Sequence, residues 1–156
     1  MARRDHYHEP KAPEANSLRV AVSAFILDEA GRLLMIRRTD NDRYAIPGGG
    51  QEFGETVAQA VVREVEEETG LTVDVTGFIG IFSDPDYVIE YDDGEVRQEF
   101  SLCFRARPVS GDLRTSNESK EVLWVEPARL DGLNIHPAIR LRIARGFEGS
   151  DQPFYT

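Results

Sequence analysis

The feature that most constrains this chain is a run of three glycines, Gly48–Gly50, shortly before a segment with helical periodicity at residues 55–69. Thr56 is followed three residues later by Gln59, a capping-box pattern which predicts that a helix begins beside Thr56. Gly70 suits the left-handed residue that ends a helix. The sequence therefore predicts a glycine loop that leads into a helix of about four turns.

Three glutamates share one face of this predicted helix, at about 100° per residue. Glu64, Glu67 and Glu68 are spaced i, i+3 and i+4, where like charges repel, and the helix dipole near the C-terminal end adds to the repulsion. A bound cation would offset it, and carboxylate oxygens favour Mg²⁺ or Mn²⁺ over zinc. Such a face is also common as plain solvated surface. The glycine loop, which lets the backbone approach an ion or phosphate closely, favours the cation site.

Short apolar runs on both sides of this helix predict strands. We expect strands at residues 19–27, 32–38, 43–46, 72–82, 98–106 and 121–125, and a second helix at residues 136–145. Residues 83–97 are acidic and aromatic and predict a loop or hairpin. This order of elements predicts a mixed sheet covered by helices, in an α/β or α+β sandwich.

Composition excludes several classes of protein. The chain has 156 residues and a formal net charge of −10, so it is poorly suited to binding nucleic acid or an anionic membrane through bulk charge. Its single cysteine, Cys103, excludes an internal disulfide. No apolar stretch approaches the ~20 residues of a membrane span, and the first residues lack the apolar segment of a signal peptide. We therefore expect a cytoplasmic protein without nucleic-acid or membrane partners.

The glycine loop and the acidic helix together resemble a known motif. Gly49, five residues, Glu55, seven residues and then Arg63–Leu71, which reads REVEEETGL, match every fixed position of the Nudix box. By this resemblance the chain is identified as a member of the Nudix (MutT-like) hydrolase family. The resemblance implies an α/β/α sandwich with a mixed sheet, and hydrolysis of a nucleoside diphosphate linked to another moiety with Mg²⁺ or Mn²⁺.

The resemblance also implies a domain organisation. It extends over residues 18–147, from the first apolar strand to the late helix. Residues 1–17 are polar and without periodicity, and we expect an N-terminal tail that is loose or docks on the surface. Residues 148–156 are expected as a C-terminal tail. Many Nudix proteins dimerise, so a homodimer is left open.

Roles for individual residues follow from the same resemblance. The implied metal ligands are the box glutamates and one backbone carbonyl, namely Glu64, Glu67, Glu68 and Gly48. Glu64 is implied to be a ligand or the catalytic base. Glu55 and Arg63 are implied to orient the loop and the helix. A further catalytic glutamate is implied on the loop before a late strand, where Glu118 is the first candidate and Glu121 the alternative.

The residues that select the substrate are less well determined. Relatives acting on ADP-ribose tend to carry a proline shortly after the box, and relatives acting on diadenosine polyphosphates tend to carry a tyrosine there. The chain has both, Pro85 and Tyr87. The candidates for phosphate or ribose contacts are Arg37, Arg38 and Arg97, although such arginines are also ordinary surface charge.

We expect an ADP-ribose-like nucleoside diphosphate sugar as the substrate. The alternatives are a nucleoside triphosphate or a diadenosine polyphosphate. A function of another class is a nucleotide-binding regulatory domain that does not hydrolyse its ligand. His136, which precedes Pro137 at the start of the late helix, is expected to be a surface histidine.

Overall fold

The structure is a computed structural model that describes residues 2–156. The strands are β1 (Arg3–Tyr7), β2 (Ser17–Leu18), β3 (Ala21–Ile26), β4 (Leu33–Arg38), β5 (Tyr44–Ala45), β6 (Gly48–Gly50), β7 (Leu71–Phe82), β8 (Tyr87–Tyr91), β9 (Val96–Gln98), β10 (Ser101–Gly111), β11 (Ser119–Val125) and β12 (Phe154–Tyr155). The α-helices are α1 (Val57–Thr69) and α2 (Pro137–Glu148), and a 3-10 helix (Pro127–Gly132) precedes α2. Neither α-helix in this part of the chain has the length and apolar character needed to cross a bilayer.

The strands form three sheets. The central sheet has the order β12-β7-β10-β3-β6 and is mixed, since β10 runs parallel to β3 and antiparallel to β7. A second sheet has the order β11-β4-β5 and a third the order β1-β8-β9-β2. The expected mixed sheet is present, and residues 83–97 form the hairpin β8–β9, which turns at Gly94 with a φ of 93°.

Both faces of the central sheet are buried by helices, because side chains alternate along each strand. In β3, Val22 and Ala24 belong to a buried cluster with Val65 of α1. Phe25, on the opposite face, belongs to a second cluster with Ile143 of α2. This arrangement is the α/β/α sandwich that the sequence predicts.

Helix α1 begins and ends where the sequence predicts. Thr56 accepts a hydrogen bond from the Gln59 backbone N–H, and Gln59 accepts one from the Thr56 backbone N–H, which completes the capping box. Gly70 has a φ of 84° and its N–H donates to the carbonyl of Glu66. The helix is thereby fixed at both ends next to the glycine loop.

Both terminal segments contain a strand that the sequence analysis did not predict. Residues 3–7 form β1, which pairs antiparallel with β8 from Arg3 opposite Tyr91 to Tyr7 opposite Tyr87. Residues 154–155 form β12, which pairs in parallel with β7. Neither segment could be predicted as a strand from its own short sequence, because the strand that it pairs with lies far away in the chain.

Candidate functional site

Two of the three glutamates on the predicted acidic face of α1 are buried. Glu64 and Glu68 are 7% and 2% exposed, on the same face of α1 as Val61 and Val65. The side chain of Glu67 is 59% exposed and pairs with Arg63. The predicted acidic face is therefore divided between the protein interior and solvent.

A carboxylate from a distant part of the chain joins the two buried ones. One oxygen from each of Glu64, Glu68 and Glu118 lies within 4.8 Å of the others, and we call these three residues the carboxylate cluster. Glu121, the alternative to Glu118, instead accepts hydrogen bonds from the Tyr44 hydroxyl at 2.8 Å and from Arg37 Nη1 at 3.2 Å. Of the two candidates, the structure brings only Glu118 to the cluster. Glu67 lies outside it.

Burial leaves the cluster short of positive charge. Burial raises the pKa of Glu68, and the neighbouring carboxylate of Glu64 raises it further. Burial also raises the pKa of Glu64, although the Arg63 guanidinium opposes the shift. Glu68 Oε2 is buried and has no hydrogen-bond partner among the described residues. Since a buried carboxylate is unfavourable unless it is paired or bound to a metal, these oxygen donors fit a hard divalent cation such as Mg²⁺ or Mn²⁺.

The first glycine of the loop directs its backbone toward Glu68. The Ala24 N–H donates to the carbonyl of Pro47 at 2.9 Å. In an antiparallel ladder the backbone groups of successive residues point alternately toward and away from the partner strand. The backbone N–H and carbonyl of Gly48, the next residue, therefore point away from β3. The Gly48 N–H donates to Glu68 Oε1 at 3.2 Å, and in a strand the carbonyl of the same residue points the same way. Gly48 therefore directs both backbone groups to the side of the predicted metal site.

The second glycine makes room for Glu64. A Cβ atom on Gly49 would lie 2.4 Å from Glu64 Oε1, far inside van der Waals contact. At Gly50 a Cβ atom would meet nothing within 4 Å. The close approach of backbone and carboxylate thus requires glycine at position 49 and leaves position 50 free.

Arg63 joins the loop to the helix. Its Nε and Nη2 donate to the two carboxylate oxygens of Glu55 at 2.6 and 3.0 Å, and Nη2 also donates to the carbonyl of Gly50 at 2.9 Å. Nη1 donates to Glu64 Oε1 at 3.0 Å and to Glu67 Oε2 at 3.3 Å. This geometry suits the orienting roles that the sequence predicts for Glu55 and Arg63.

A buried hydrogen bond connects the end of α1 to the beginning of β11. The Ser119 hydroxyl donates to the backbone carbonyl of Glu68 at 2.6 Å. The carbonyl of Glu118 accepts from the Thr39 N–H at 3.1 Å. The backbone that carries Glu118 is therefore attached to the helix and to β4 from two sides.

A cavity of about 530 Å³ lies beside the cluster, lined by Glu64, Glu118 and residues 48–50. Three of the predicted substrate residues also line it, namely Arg38, Tyr87 and Arg97. Arg37 does not, because it pairs with Asp42 and Glu121. Pro85 is an exposed residue outside the cavity lining.

The two predicted arginines in the cavity are already paired. Arg38 donates to both oxygens of Asp40 at 2.9 and 2.7 Å. Burial alone would lower the pKa of Arg38, but the hydrogen bond to Asp40 and the negative charges of Glu68 and Asp5 raise it. Arg97 pairs with Glu95, and its guanidinium lies 4.7 Å from the ring centroid of Tyr91.

Part of the cavity wall is made by residues that the sequence analysis did not select. Arg3 and Asp5 of β1 line the cavity, and so does the buried ion pair of Arg142 with Glu99, at 2.6 Å. No local signal indicated β1, because its sequence RRDHY lacks the apolar alternation of a strand, and nothing local indicated its partner strand. Arg43 also lines the cavity, and its side chain makes no ion pair or hydrogen bond with the described residues.

His136 differs from the expected surface histidine. It is 7% exposed and lies in the cavity wall, where its Nδ1 accepts the Ala138 N–H at 3.1 Å as the N-cap of α2. Its ring stacks on Tyr87 with the centroids 4.5 Å apart. Burial lowers the pKa of His136 to about 4. Tyr87, within the segment predicted as a loop or hairpin, is likewise only 5% exposed.

Comparison with known proteins places these features in context. A model of the NUDIX domain matches residues 17–145. A MutT-like protein of Streptomyces ambofaciens is 39% identical over 119 residues, which are 76% of this chain and 70% of that protein. An ADP-ribose pyrophosphatase of Methanocaldococcus jannaschii is 37% identical over 99 residues, or 62% of this chain. The match spans about half of that relative, 55% of its length.

Solved structures show the same fold. The crystal structure of a MutT protein from Methanosarcina mazei superposes with a TM-score of 0.70 and 24% identity, covering 90% of this chain and 100% of that one. Other matched relatives are named as a nucleoside triphosphatase and an 8-oxo-dGTP diphosphatase, so the names of the relatives do not agree on one substrate.

Proposed function

The chain belongs to the NUDIX domain family and is a Nudix pyrophosphohydrolase, and we propose that it uses Mg²⁺ or Mn²⁺ to cleave the diphosphate of an ADP-ribose-like nucleoside diphosphate sugar. One observation carries the proposal. The carboxylate cluster of Glu64, Glu68 and Glu118 lies at the side of a cavity large enough for a nucleotide. The cluster supplies ligands for the cation, and the cavity supplies the contacts that hold the substrate.

The proposed cation ligands are the two buried cluster carboxylates, Glu64 and Glu68, and the carbonyl of Gly48. A divalent cation held there would neutralise phosphate charge and lower the pKa of a water molecule. Glu67 is also a proposed ligand, because its exposed side chain lies on the same helix and is held by a single ion pair with Arg63. Arg63 and Glu55 hold the glycine loop against α1, which keeps Gly48 and Glu64 in register.

We assign the proton transfer to Glu118. It is exposed at the cavity and makes no ion pair with the described residues, whereas Glu64 and Glu68 are buried. A base must reach the water whose proton it accepts, and Glu118 has that access. This assignment gives the exposed member of the cluster a different task from the two buried members.

Local charge supports an anionic substrate despite the net charge of −10. Six arginines line the cavity, namely Arg3, Arg19, Arg38, Arg43, Arg97 and Arg142. The guanidinium of Arg43 has no partner among residues 2–156, so it is available to a phosphate oxygen. The ADP-ribose pyrophosphatase among the relatives supports the sugar-linked substrate, and the nucleoside triphosphatase supports the second candidate, a nucleoside triphosphate.

A panel of ADP-ribose, ADP-glucose, diadenosine polyphosphates and nucleoside triphosphates tests the proposal. With Mg²⁺ we expect AMP and ribose 5-phosphate from ADP-ribose. We expect kcat/KM for ADP-ribose to exceed kcat/KM for any nucleoside triphosphate by at least about tenfold, or 1.4 kcal/mol. A preference for triphosphates would establish the second candidate. Binding without turnover would establish a regulatory domain. Location, oligomeric state and the lack of nucleic-acid or membrane partners stay predictions.

The two alternative glutamates form a matched pair for mutation. We expect Glu118→Gln to lower kcat roughly 100- to 10,000-fold, the range for loss of a general base, with little change in KM. Glu121→Gln should leave kcat within about twofold, because Glu121 bonds only Tyr44 and Arg37 at the protein surface. Equal effects of the two substitutions would contradict the assignment of Glu118.

A further inference from the structure

Strand β1 presents two different faces. Arg3 and Asp5 point into the cavity, with side chains that are 14% and 10% exposed. Arg4, between them, points the other way, is 65% exposed and pairs with Glu90 on β8. This is the two-residue alternation of a strand, with one face in the cavity wall and one in solvent. The family match begins at residue 17, so β1 lies outside it.

The cavity face of β1 has unused hydrogen-bonding capacity. Arg3 Nε and Nη2 donate to Asp5 Oδ1 at 3.3 and 2.6 Å, and the Tyr87 hydroxyl donates to the same oxygen at 3.4 Å. Within residues 2–156, neither Asp5 Oδ2 nor Arg3 Nη1 makes a hydrogen bond. These two atoms, one a charged acceptor and the other a charged donor, therefore have no hydrogen-bond partner in the part of the chain that the structure describes.

His136 adds a neutral donor to the same wall. Its Nδ1 accepts the Ala138 N–H, so the neutral ring carries its proton on Nε2. No described residue accepts a hydrogen bond from that atom. The wall thus offers one acceptor and two donors.

The rings in this wall already pack against one another. Tyr87 stacks on His136, and the Tyr7 ring makes edge contacts with both, with centroids 5.6 and 5.1 Å away. A base gains most from ring faces that are free to stack, and here one face of Tyr87 and one of His136 are already occupied. Vicinal hydroxyls suit the wall better, since each donates to a carboxylate and accepts from a guanidinium.

We propose that Arg3 and Asp5 are specificity residues that bind vicinal hydroxyls of the sugar group linked to the diphosphate. The inference rests on the proposed function, because it concerns the same cavity. Arg38, which also lines the cavity, is within electrostatic reach of both Glu68 and Asp5. The sugar is held by β1, while the diphosphate is held at the carboxylate cluster.

Asp5→Asn tests the inference, with ADP-ribose and the methyl ester of ADP as the two substrates. The ester keeps the diphosphate and replaces the sugar by a group without hydroxyls. We expect the ratio of kcat/KM for ADP-ribose to that for the ester to fall roughly 10- to 100-fold, the effect of one charged hydrogen bond. The change should lie in KM, since the substitution is remote from the carboxylate cluster. Arg3→Gln should lower the ratio in the same direction.

Arg4→Gln is the matched control, because it removes a charge from the same strand on the solvent face. It should leave the ratio unchanged within about twofold, since an exposed ion pair contributes little. A purely structural role for β1 would lower kcat/KM for both substrates equally, and that result would overturn the inference. Thermal unfolding of each variant checks that β1 stays paired.

Calorimetry separates this inference from the proposed function. ADP-ribose is titrated into Glu68→Gln protein with and without Asp5→Asn. Binding that weakens roughly 10-fold or more with Asp5→Asn supports the inference even if the unaltered protein cleaves no ADP-ribose, which would overturn the proposed function alone. Unchanged affinity, or no binding to either protein, overturns the inference.

Discussion

Two walls of the same cavity are built in opposite ways. The carboxylate wall consists of Gly48–Gly50 with the carboxylate cluster, and most of it comes from one loop and one helix. The β1 wall consists of Arg3, Asp5, Tyr87 and His136, which come from three distant parts of the chain. The first wall can be recognised from a short motif, whereas the second exists only after the chain has folded.

The two walls also differ in how their charges are balanced. In the β1 wall the carboxylate of Asp5 is paired with the guanidinium of Arg3. In the carboxylate cluster, Arg63 donates a hydrogen bond to Glu64, while Glu68 Oε2 has no hydrogen-bond partner among the described residues. A buried carboxylate without a partner favours a cation, and a paired wall with spare donors and acceptors favours a neutral polar group.

The largest effect that separates the walls should come from Glu68→Gln. Loss of a buried metal ligand removes several kcal/mol of transition-state stabilisation, so we expect turnover to fall about 100- to 10,000-fold with the fold intact. Mg²⁺ should raise the melting temperature of the unaltered protein and not that of Glu68→Gln, which differential scanning fluorimetry will show.

Glu66 provides the control for that experiment. It lies on the same helix, and its side chain faces solvent. Glu66→Gln removes the same charge and should leave both turnover and the Mg²⁺ response unchanged. A loss of activity in this variant would mean that the net charge of α1, rather than the buried cluster, determines metal binding.

A second substitution changes the carboxylate wall without removing a charge. Gly49→Ala places a methyl group 2.4 Å from Glu64 Oε1, so the carboxylate must move. We expect kcat/KM to fall roughly 10- to 100-fold, the range found when the residues that orient a metal ligand are altered. Gly50→Ala, which meets no atom within 4 Å, should keep kcat/KM within about twofold. Similar losses in both variants would show that loop flexibility matters more than the space beside Glu64.

The last and smallest expected effect is one on stability rather than on turnover, and it comes from His136→Asn in the β1 wall. The pKa of His136 is about 4 in the folded protein and 6.5 in the unfolded chain, so between these values the unfolded chain binds more protons. The unfolding free energy therefore falls as the pH falls, by about 2 kcal/mol from pH 7 to pH 5. Asn keeps an N-cap acceptor and removes this contribution.

Urea unfolding at the two pH values measures this difference. His6, on the outer face of β1, has the opposite sign, because hydrogen bonds to Glu9 and Glu90 raise its pKa. His6 therefore stabilises the protein below its ordinary pKa, and this contribution is lost as the pH rises. If the unfolding free energy of His136→Asn falls between pH 7 and pH 5 by as much as that of the unaltered protein, the assignment of a buried neutral ring to His136 is contradicted.

Much of the fold and one wall of the site could be predicted from the sequence. The limits of α1 depend on contacts three or four residues apart, Thr56 with Gln59 and Gly70 with Glu66, so the local pattern predicted them. The strands with apolar runs were predicted for the same reason. What the motif could not give was burial, which separates Glu68 from Glu67 and is decided by the sheet under the helix.

The remaining features depend on pairing between distant segments. The choice between Glu118 and Glu121 is decided by the path of the chain into β11, which no local pattern encodes. β1 was missed because its sequence, RRDHY, carries charge where a strand signal needs apolar side chains. His136 was expected in solvent because the rings of Tyr7 and Tyr87 that cover it come from β1 and β8.

The hydroxyl of Ser119 sets a fixed separation between two parts of the chain fifty-one positions apart. Its bond to the Glu68 carbonyl holds the neighbouring Glu118 in place before any ligand arrives. Because this part of the chain is already ordered, it loses little conformational entropy when an ion binds. More of the free energy of the contacts therefore appears as binding affinity. The part of the loop before Glu118 can accordingly vary in length and composition, provided that this one bond survives.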